Sequence, residues 1–267
     1  MKAIQIKEQG GVEKLEYVDL PTPEPGEGQL QVKLAAAGLN FIDIYQRSGQ
    51  YKMATPFICG SEGAGDVTAL GAGVSGFAVG DRVTYTGIPG AYAEYTLVPA
   101  ARTVKIPDGM ETKLGAAVML QGLTAHYLAN DTYPLKAGDW CVIHAGAGGV
   151  GLLLIQMAKM RGANVISTVS TEEKAELARG AGADHVILYT EQDFEAETLK
   201  IVGDRKLDVV YDSVAKDTYM GGLNALRPRG TFVLYGASSG PVPPFDLNLL
   251  QQKGSLYITR PSLLAYI

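Results

Sequence analysis

The sequence predicts a two-domain α/β protein, a β-barrel-like amino-terminal half followed by a doubly wound parallel sheet, on three observations. Residues 1 to about 110 hold short β-rich segments separated by turn residues, whereas from Asp139 onward buried strands alternate with helices. An apolar strand, Trp140 to Ala145, runs into Gly146-Ala-Gly-Gly-Val-Gly151 and directly into an apolar helix. The length of 267 residues suits two cores better than one. We place the domains at 1–123 and 124–267.

In the first half, strands are predicted over Ala3 to Ile6, Leu30 to Ala36, Gly65 to Leu70, Arg82 to Thr86 and Ala93 to Val98. The stretch Pro21-Thr-Pro-Glu-Pro25 cannot donate to a central ladder and is a surface connection, and Gly76 to Arg82 is a turn into the next strand. A helix over Thr112 to Tyr127 bridges the halves. In the second half, apolar strands are predicted over Cys141 to Ala145, Val165 to Val169, Val186 to Tyr189, Asp208 to Tyr211, Thr231 to Leu234 and Leu256 to Ile258. The helices Gly149 to Arg161, Thr171 to Ala181, Asp193 to Val202, Thr218 to Leu226 and Leu247 to Gln252 supply the crossovers that a parallel sheet requires.

The glycine turn carries chemistry because of this setting. Gly146 permits the tight turn, Gly148 lets backbone N–H groups approach a pyrophosphate, and Gly151 lets helix and strand pack closely, with the phosphates on the helix N-terminus. An NAD-selective site usually has Asp or Glu about 20 residues past the first glycine. Here that place reads Ser167-Thr-Val-Ser-Thr171, and the next carboxylate, Glu172, falls in the first turn of a helix capped by Ser170 or Thr171. Small hydroxyls and Lys174 suit a 2′-phosphate, which predicts NADPH over NADH; the alternative is that Lys174 is a solvated helix lysine.

No ligand set for zinc is visible: the chain has Cys59 and Cys141, far apart, and His126, His144 and His185, of which His144 and His185 fall in predicted strands. No activated-nucleophile motif appears, so the chemistry falls to a bound cofactor. Hydrophobic residues make up 46% and charged residues 19%, and the net charge is −5, which gives no electrostatic footprint for nucleic acid. The longest apolar runs fall far short of a membrane span, Met1-Lys-Ala-Ile-Gln opens a strand, and two distant cysteines fit buried thiols, so a cytoplasmic protein is expected.

Seven segments together resemble one family. They are Ala36-Ala-Gly-Leu-Asn-Phe-Ile-Asp-Ile-Tyr45, Gly60-Ser-Glu-Gly-Ala-Gly65, Gly90-Ala-Tyr-Ala-Glu-Tyr95, Leu120-Gln-Gly-Leu-Thr-Ala125, the glycine turn, Val210-Tyr-Asp-Ser213 and Thr259-Arg-Pro-Ser262. The chain is similar to the zinc-free, zeta-crystallin-like quinone oxidoreductases of the medium-chain dehydrogenase/reductase superfamily. Zinc-dependent relatives carry cysteine where Asn40 stands and histidine where Ser61 stands, so the resemblance implies loss of the metal.

The resemblance further implies a GroES-like catalytic domain, a Rossmann domain, and a cleft where NADPH reduces a quinone without a metal. It puts Asn40, Asp43 and Tyr45 near the nicotinamide, with Tyr45 and then Asn40 as the donors to the quinone oxygen or as residues that only shape the pocket. It assigns Thr124, Gly148, Gly149 and Val150 to the cofactor, Lys174 and Tyr189, beside Ser170, to the 2′-phosphate, and Ser213, Tyr235, Gly236 and Ser239 to the adenosine and nicotinamide side. The family pairs through the last strand of the nucleotide sheet, which implies a homodimer through Leu256 to Ile258. In the family the chain continues past Thr259-Arg-Pro-Ser262 to complete the catalytic domain, so the resemblance implies that the return segment is lacking and that activity is weakened. Reduction of the double bond of an enone or enal, and a non-catalytic NADPH- or RNA-binding role, are the rival readings.

Overall fold

A computed structural model describes residues 1–267, which form two compact units, Met1–Leu120 and Gln121–Ile267. The first unit is built on antiparallel pairing. Strands β3 (Gln29–Ala37), β5 (Glu62–Leu70), β6 (Arg82–Thr86), β7 (Tyr95–Pro99) and β8 (Thr103–Lys105) form a sheet in the order β7-β3-β5-β6-β8. A smaller sheet, β2-β1-β4, joins β1 (Lys2–Ile6), β2 (Glu16–Asp19) and β4 (Phe57–Ile58). The two sheets connect where Ile4 N–H donates to Tyr92 C=O at 2.8 Å and Ala3 bridges to Ala93. Alternate inward residues of the five-stranded sheet, Leu30, Val32, Val67, Val83, Tyr85 and Val98, form one buried core.

Helix α1 (Phe41–Ser48) appears where the sequence pattern predicted no element. Asn40 is its N-cap in extended conformation, and Gly49, with φ 85°, ends it in the left-handed region. Its faces invert the usual amphipathic rule. Asp43, Tyr45 and Gln46 are buried, while Phe41 and Ile44 are exposed. Helix α2 (Thr112–Tyr127) spans the predicted residues, and the division between the two units falls within it.

The second unit is a six-stranded, all-parallel sheet in the order β11-β10-β9-β12-β13-β14, the doubly wound arrangement in which strand order reverses between β9 and β12. Its strands are β9 (Trp140–His144), β10 (Asn164–Val169), β11 (His185–Leu188), β12 (Leu207–Asp212), β13 (Leu226–Leu234) and β14 (Tyr257–Thr259). Strand β13 begins five residues before the predicted Thr231 because Leu226 already pairs with Leu207 across an irregular step. The crossovers are α3 (Gly149–Met160), α4 (Glu172–Gly180), α5 (Phe194–Val202), α6 (Tyr219–Ala225) and α7 (Asn248–Gln252). Apolar cores on both faces of the sheet explain the near-continuous apolar strands: Cys141, Ile143, Val165, Val209 and Tyr211 face one, Val142, Ile166, Val210 and Phe232 the other. No helix is long and apolar enough to cross a membrane.

Candidate functional site

In the second unit, β9 ends at the point where strand order reverses, the place at which open α/β sheets leave a crevice for ligands. The chain then turns through Ala145, at φ 53°, and Gly146 donates its N–H to Thr168 C=O at 3.2 Å. Helix α3 starts at Gly149, and its first turn bonds only from Leu152 N–H onward, to Gly148 C=O at 2.9 Å. The preceding N–H groups of Gly149, Val150 and Gly151 lie at the positive end of the helix. Closeness at this turn is backbone against backbone. A Cβ on Gly151 would lie 2.5 Å from Ala145 O and 2.7 Å from Gly146 Cα, so only glycine lets α3 approach the strand end. Gln121, which sequence reasoning did not single out, lies over this turn, its Oε1 2.1 Å from where a Cβ on Gly149 would stand. The motif holding Thr124 was its only signal. Thr124 itself is buried in α2.

At the end of β10, Ser170, Lys174 and Tyr189 come together. Lys174 Nζ donates to Ser170 Oγ at 3.0 Å, and Thr171 is the N-cap of α4, accepting Lys174 N–H at 3.3 Å. Val169 registers with Leu188, so Ser170 and Tyr189 leave adjacent strand ends side by side, and half of Tyr189 is exposed. Glu172 is the first residue of α4 and is held by Arg179, whose bond keeps its carboxyl below the ordinary range. No carboxylate therefore stands at the end of β10, and a hydroxyl and an ammonium do.

On the other side of the turn, Ser213, Tyr235, Gly236 and Ser239 gather at the ends of β12 and β13. Tyr235 N–H donates to Asp212 C=O at 2.8 Å, Ser238 N–H to Ser213 C=O at 3.0 Å, and Ser239 Oγ to Val214 C=O at 2.7 Å. The buried Asp212 organises this loop: Oδ1 accepts the N–H groups of Val214 (2.6 Å) and Ala215 (2.9 Å), and Oδ2 the Thr218 hydroxyl (2.7 Å).

In the first unit, Asn40 and Asp43 join one buried polar network with Glu62 and Tyr92, neither of which the sequence reading assigned a role. Asp43 Oδ2 accepts Asn40 N–H and the Tyr92 hydroxyl, both at 2.9 Å. Glu62 Oε2 accepts Asn40 Nδ2 at 2.8 Å, and Glu62 Oε1 accepts Leu120 N–H at 2.6 Å. Burial raises both carboxyl pKa values above the ordinary range, against the lowering by these donors. Burial and the Asp43 charge push the Tyr92 phenol far up, so it stays protonated and donates. Tyr45, also on α1, buries its ring against Tyr51 (5.3 Å between centroids) and Phe41 (6.1 Å).

No three His, Cys, Asp or Glu side chains lie close enough to hold a metal ion. Ser61 Oγ instead meets Gln46 Oε1 at 3.3 Å. Cys59 and Cys141 are separate buried thiols. His144 sits in the core with Nδ1 2.9 Å from Thr168 Oγ1 and its ring edge-on to Phe194, and burial lowers its pKa. His185 stacks on Trp140.

The family profile described as "Alcohol dehydrogenase GroES-like domain" matches residues 26–108, and that described as "Zinc-binding dehydrogenase" matches residues 149–260. A quinone oxidoreductase from Pseudomonas aeruginosa is 48% identical over 267 residues, covering 99% of this chain and 82% of the relative. A 2-haloacrylate reductase from Burkholderia sp. is 41% identical over 274 residues, covering 99% of this chain and 82% of the relative. Among solved structures, that of the Escherichia coli quinone oxidoreductase complexed with NADPH matches with a TM-score of 0.97 at 43% identity, covering 100% of this chain and 82% of that one.

Proposed function

Because the chain belongs to the quinone oxidoreductases of the medium-chain dehydrogenase/reductase superfamily, we propose that it is an NADPH-dependent enzyme that reduces quinones. The observation that carries the reading is the cradle at the β9–α3 turn. Its closely packed glycines and first-turn N–H groups fit a pyrophosphate, and a Cβ at Gly149 or Gly151 would fill or distort it. When bound there, NADPH supplies a hydride.

Each group of residues then has a task. Gly146, Gly148, Gly149 and Val150 hold the pyrophosphate, with Thr124 beside them. Ser170, Lys174 and Tyr189 hold the 2′-phosphate, since hydroxyls and an ammonium can all donate to it and no carboxylate repels it. Ser213, Tyr235, Gly236 and Ser239 line the other side of the nucleotide. In the first unit, Asn40, Asp43 and Tyr45 belong to the substrate and nicotinamide side, and the exposed apolar residues Leu39, Phe41 and Ile44 flanking them suit a planar apolar substrate. Tyr45 and Asn40 are the candidates to orient the quinone oxygen, without a metal. Reduction of an activated carbon–carbon double bond is the second reading, favoured by similarity to the 2-haloacrylate reductase.

We also assign the open edge of β14, which pairs only with β13 and exposes Tyr257, to pairing with a second copy of the chain. The reducing cytoplasm fits its two buried free thiols. The test is oxidation of NADPH and of NADH by the purified protein with a panel of quinones, enones and 2-haloacrylates. NADPH with quinones should react best, with NADH disfavoured by roughly tenfold or more. A preference for NADH would overturn the cofactor assignment, and oxidation only with alkenes would replace the substrate.

A further inference from the structure

We propose that Tyr92 is a positioning residue for the reaction, acting through Asp43 to hold the start of α1 in place. The proposal rests on the reading above, which puts Asn40, Asp43 and Tyr45 at the substrate and nicotinamide side and gives Tyr92 no task. A helix is ordinarily fixed by an apolar stripe. Helix α1 instead exposes Phe41 and Ile44 and turns Asp43 and Gln46 inward, so polar bonds carry much of that load. At its far end, Gly10 N–H donates to Arg47 C=O at 2.7 Å and Gln9 Nε2 to Gln46 C=O at 2.5 Å. At its start, the capping box joins Asn40 and Asp43 to each other, which orders the turn without tying it to the sheets. The Tyr92 hydroxyl supplies such a tie. It donates to Asp43 Oδ2 at 2.9 Å, the same atom that accepts Asn40 N–H at 2.9 Å.

Tyr92 is built as a rigid arm. Its N–H donates to Cys59 C=O at 2.9 Å and its C=O accepts Ile4 N–H at 2.8 Å, which fixes its backbone to β1 and to the link between β4 and β5. Its ring lies across Gly60, which has φ 89°. A Cβ on Gly60 would stand 2.4 Å from Tyr92 Cδ1 and 2.7 Å from Cε1, so any side chain there would push the ring aside. With backbone and ring both set, the hydroxyl has one place to reach.

The bond also bears on the charge of Asp43. Burial raises the pKa of its carboxyl, while Asn40 N–H, the Tyr92 hydroxyl and Ser61 favour the ionised form. The Glu62 carboxyl and the Cys59 thiol are further titratable groups coupled to it. Removing the hydroxyl therefore raises the Asp43 pKa further and weakens its hold on Asn40 N–H.

The test is Y92F, which keeps the ring across Gly60 and removes only the donor. Single-turnover reduction of a quinone, fluorescence titration with NADPH, and NMR titration of the Asp43 carboxyl carbon, assigned through its own backbone, are measured together. Y92F should slow reduction on the order of tenfold, move the Asp43 pKa upward, and leave NADPH affinity within about twofold, because the second unit holds the nucleotide. The double variant D43A/Y92F should be no slower than D43A, since the bond is already gone. A role confined to packing of the ring predicts no effect of Y92F. Unchanged reduction in Y92F, or losses that multiply in the double variant, overturns the proposal. Should D43A fail to fold, Y92F alone decides it, and an Asp43 pKa and Asn40 N–H resonance that both stay in place refute the tie. Absence of NADPH oxidation by the unsubstituted protein would count against the proposed function, while the Asp43 titration would still decide whether Tyr92 holds that carboxyl.

Discussion

Replacing Gly151 with alanine tests whether the β9–α3 turn is a cradle or an ordinary bend. The added Cβ would stand 2.5 Å from Ala145 O and 2.7 Å from both Gly146 Cα and Gly146 O, against 3.4 Å for the near edge of ordinary contact. All three atoms are backbone, so no side chain can rotate away. Helix α3 cannot retreat either, because Leu154, Ile155 and Ala158 on its inner face are completely buried. The turn itself has to move by a large part of an ångström, and overpacking of this kind costs about 1–3 kcal/mol.

The same movement displaces the first-turn N–H groups. A charge-assisted hydrogen bond contributes about 1.5–3 kcal/mol, and tenfold in affinity is about 1.4 kcal/mol, so losing one of them weakens NADPH binding on the order of tenfold or more. Chemical denaturation of the free protein and fluorescence titration with NADPH measure the two effects separately. Gly180→Ala is the control, since a Cβ at the end of α4 meets nothing within 4 Å. Stability and NADPH affinity in Gly151→Ala equal to those of the control would refute the close-packing argument.

Lys174→Ala should weaken NADPH on the order of tenfold and leave NADH unchanged, as judged by parallel titrations, because only the 2′-phosphate needs the ammonium beside Ser170; equal losses for both cofactors would count against the assignment. Asp208→Asn should lower stability by about 1–3 kcal/mol, since Asp208 is buried and accepts Trp140 N–H at 2.8 Å, Arg227 Nε at 2.7 Å and Arg205 Nη2 at 3.0 Å. Burial opposes ionisation of Asp208, but these three donors outweigh it and hold its folded pKa below the ordinary value, so the stability gap should be full above about pH 4 and close as acid protonates it, which urea melts across pH would show. Ile258→Lys should blunt the β14 edge and shift sedimentation toward monomer; a dimer that withstands it would place the interface elsewhere.

The second unit was legible because its signals are local. Each strand is a short apolar run closed by a turn residue, α4 and α5 are capped by the side chains of Thr171 and Asp193, and the strand order follows from the chain order with few alternatives. The first unit was less so. Strands β4 and β8 have two and three residues, and their pairing with β1 and β6 creates them more than any propensity of their own. Helix α1 was hidden by its reversed faces: Phe41 and Ile44 point outward and Asp43 and Gln46 inward, so a search for an apolar stripe finds the wrong side. The roles of Glu62 and Gln121 depend on approaches that no window of sequence contains, Glu62 meeting partners 22 and 58 residues away.

Both units nevertheless solve the same problem in the same way. Asp212 in one and Glu62 in the other are completely buried carboxylates, and each is met by N–H or O–H donors. A buried charge is tolerated only when its lone pairs are satisfied, so each carboxylate forces the surrounding backbone and side chains to turn their donors inward. That constraint holds the loop of Ser213 in the second unit and the start of α1 in the first. Asn40 carries more of it than any other candidate residue, because its backbone N–H serves Asp43 while its side-chain NH2 serves Glu62. A cysteine at position 40 would keep the first bond and lose the second, leaving Oε2 of the fully buried Glu62 without this donor. Position 40 and position 62 are therefore one unit of design, and exchanging either alone should cost more than exchanging both.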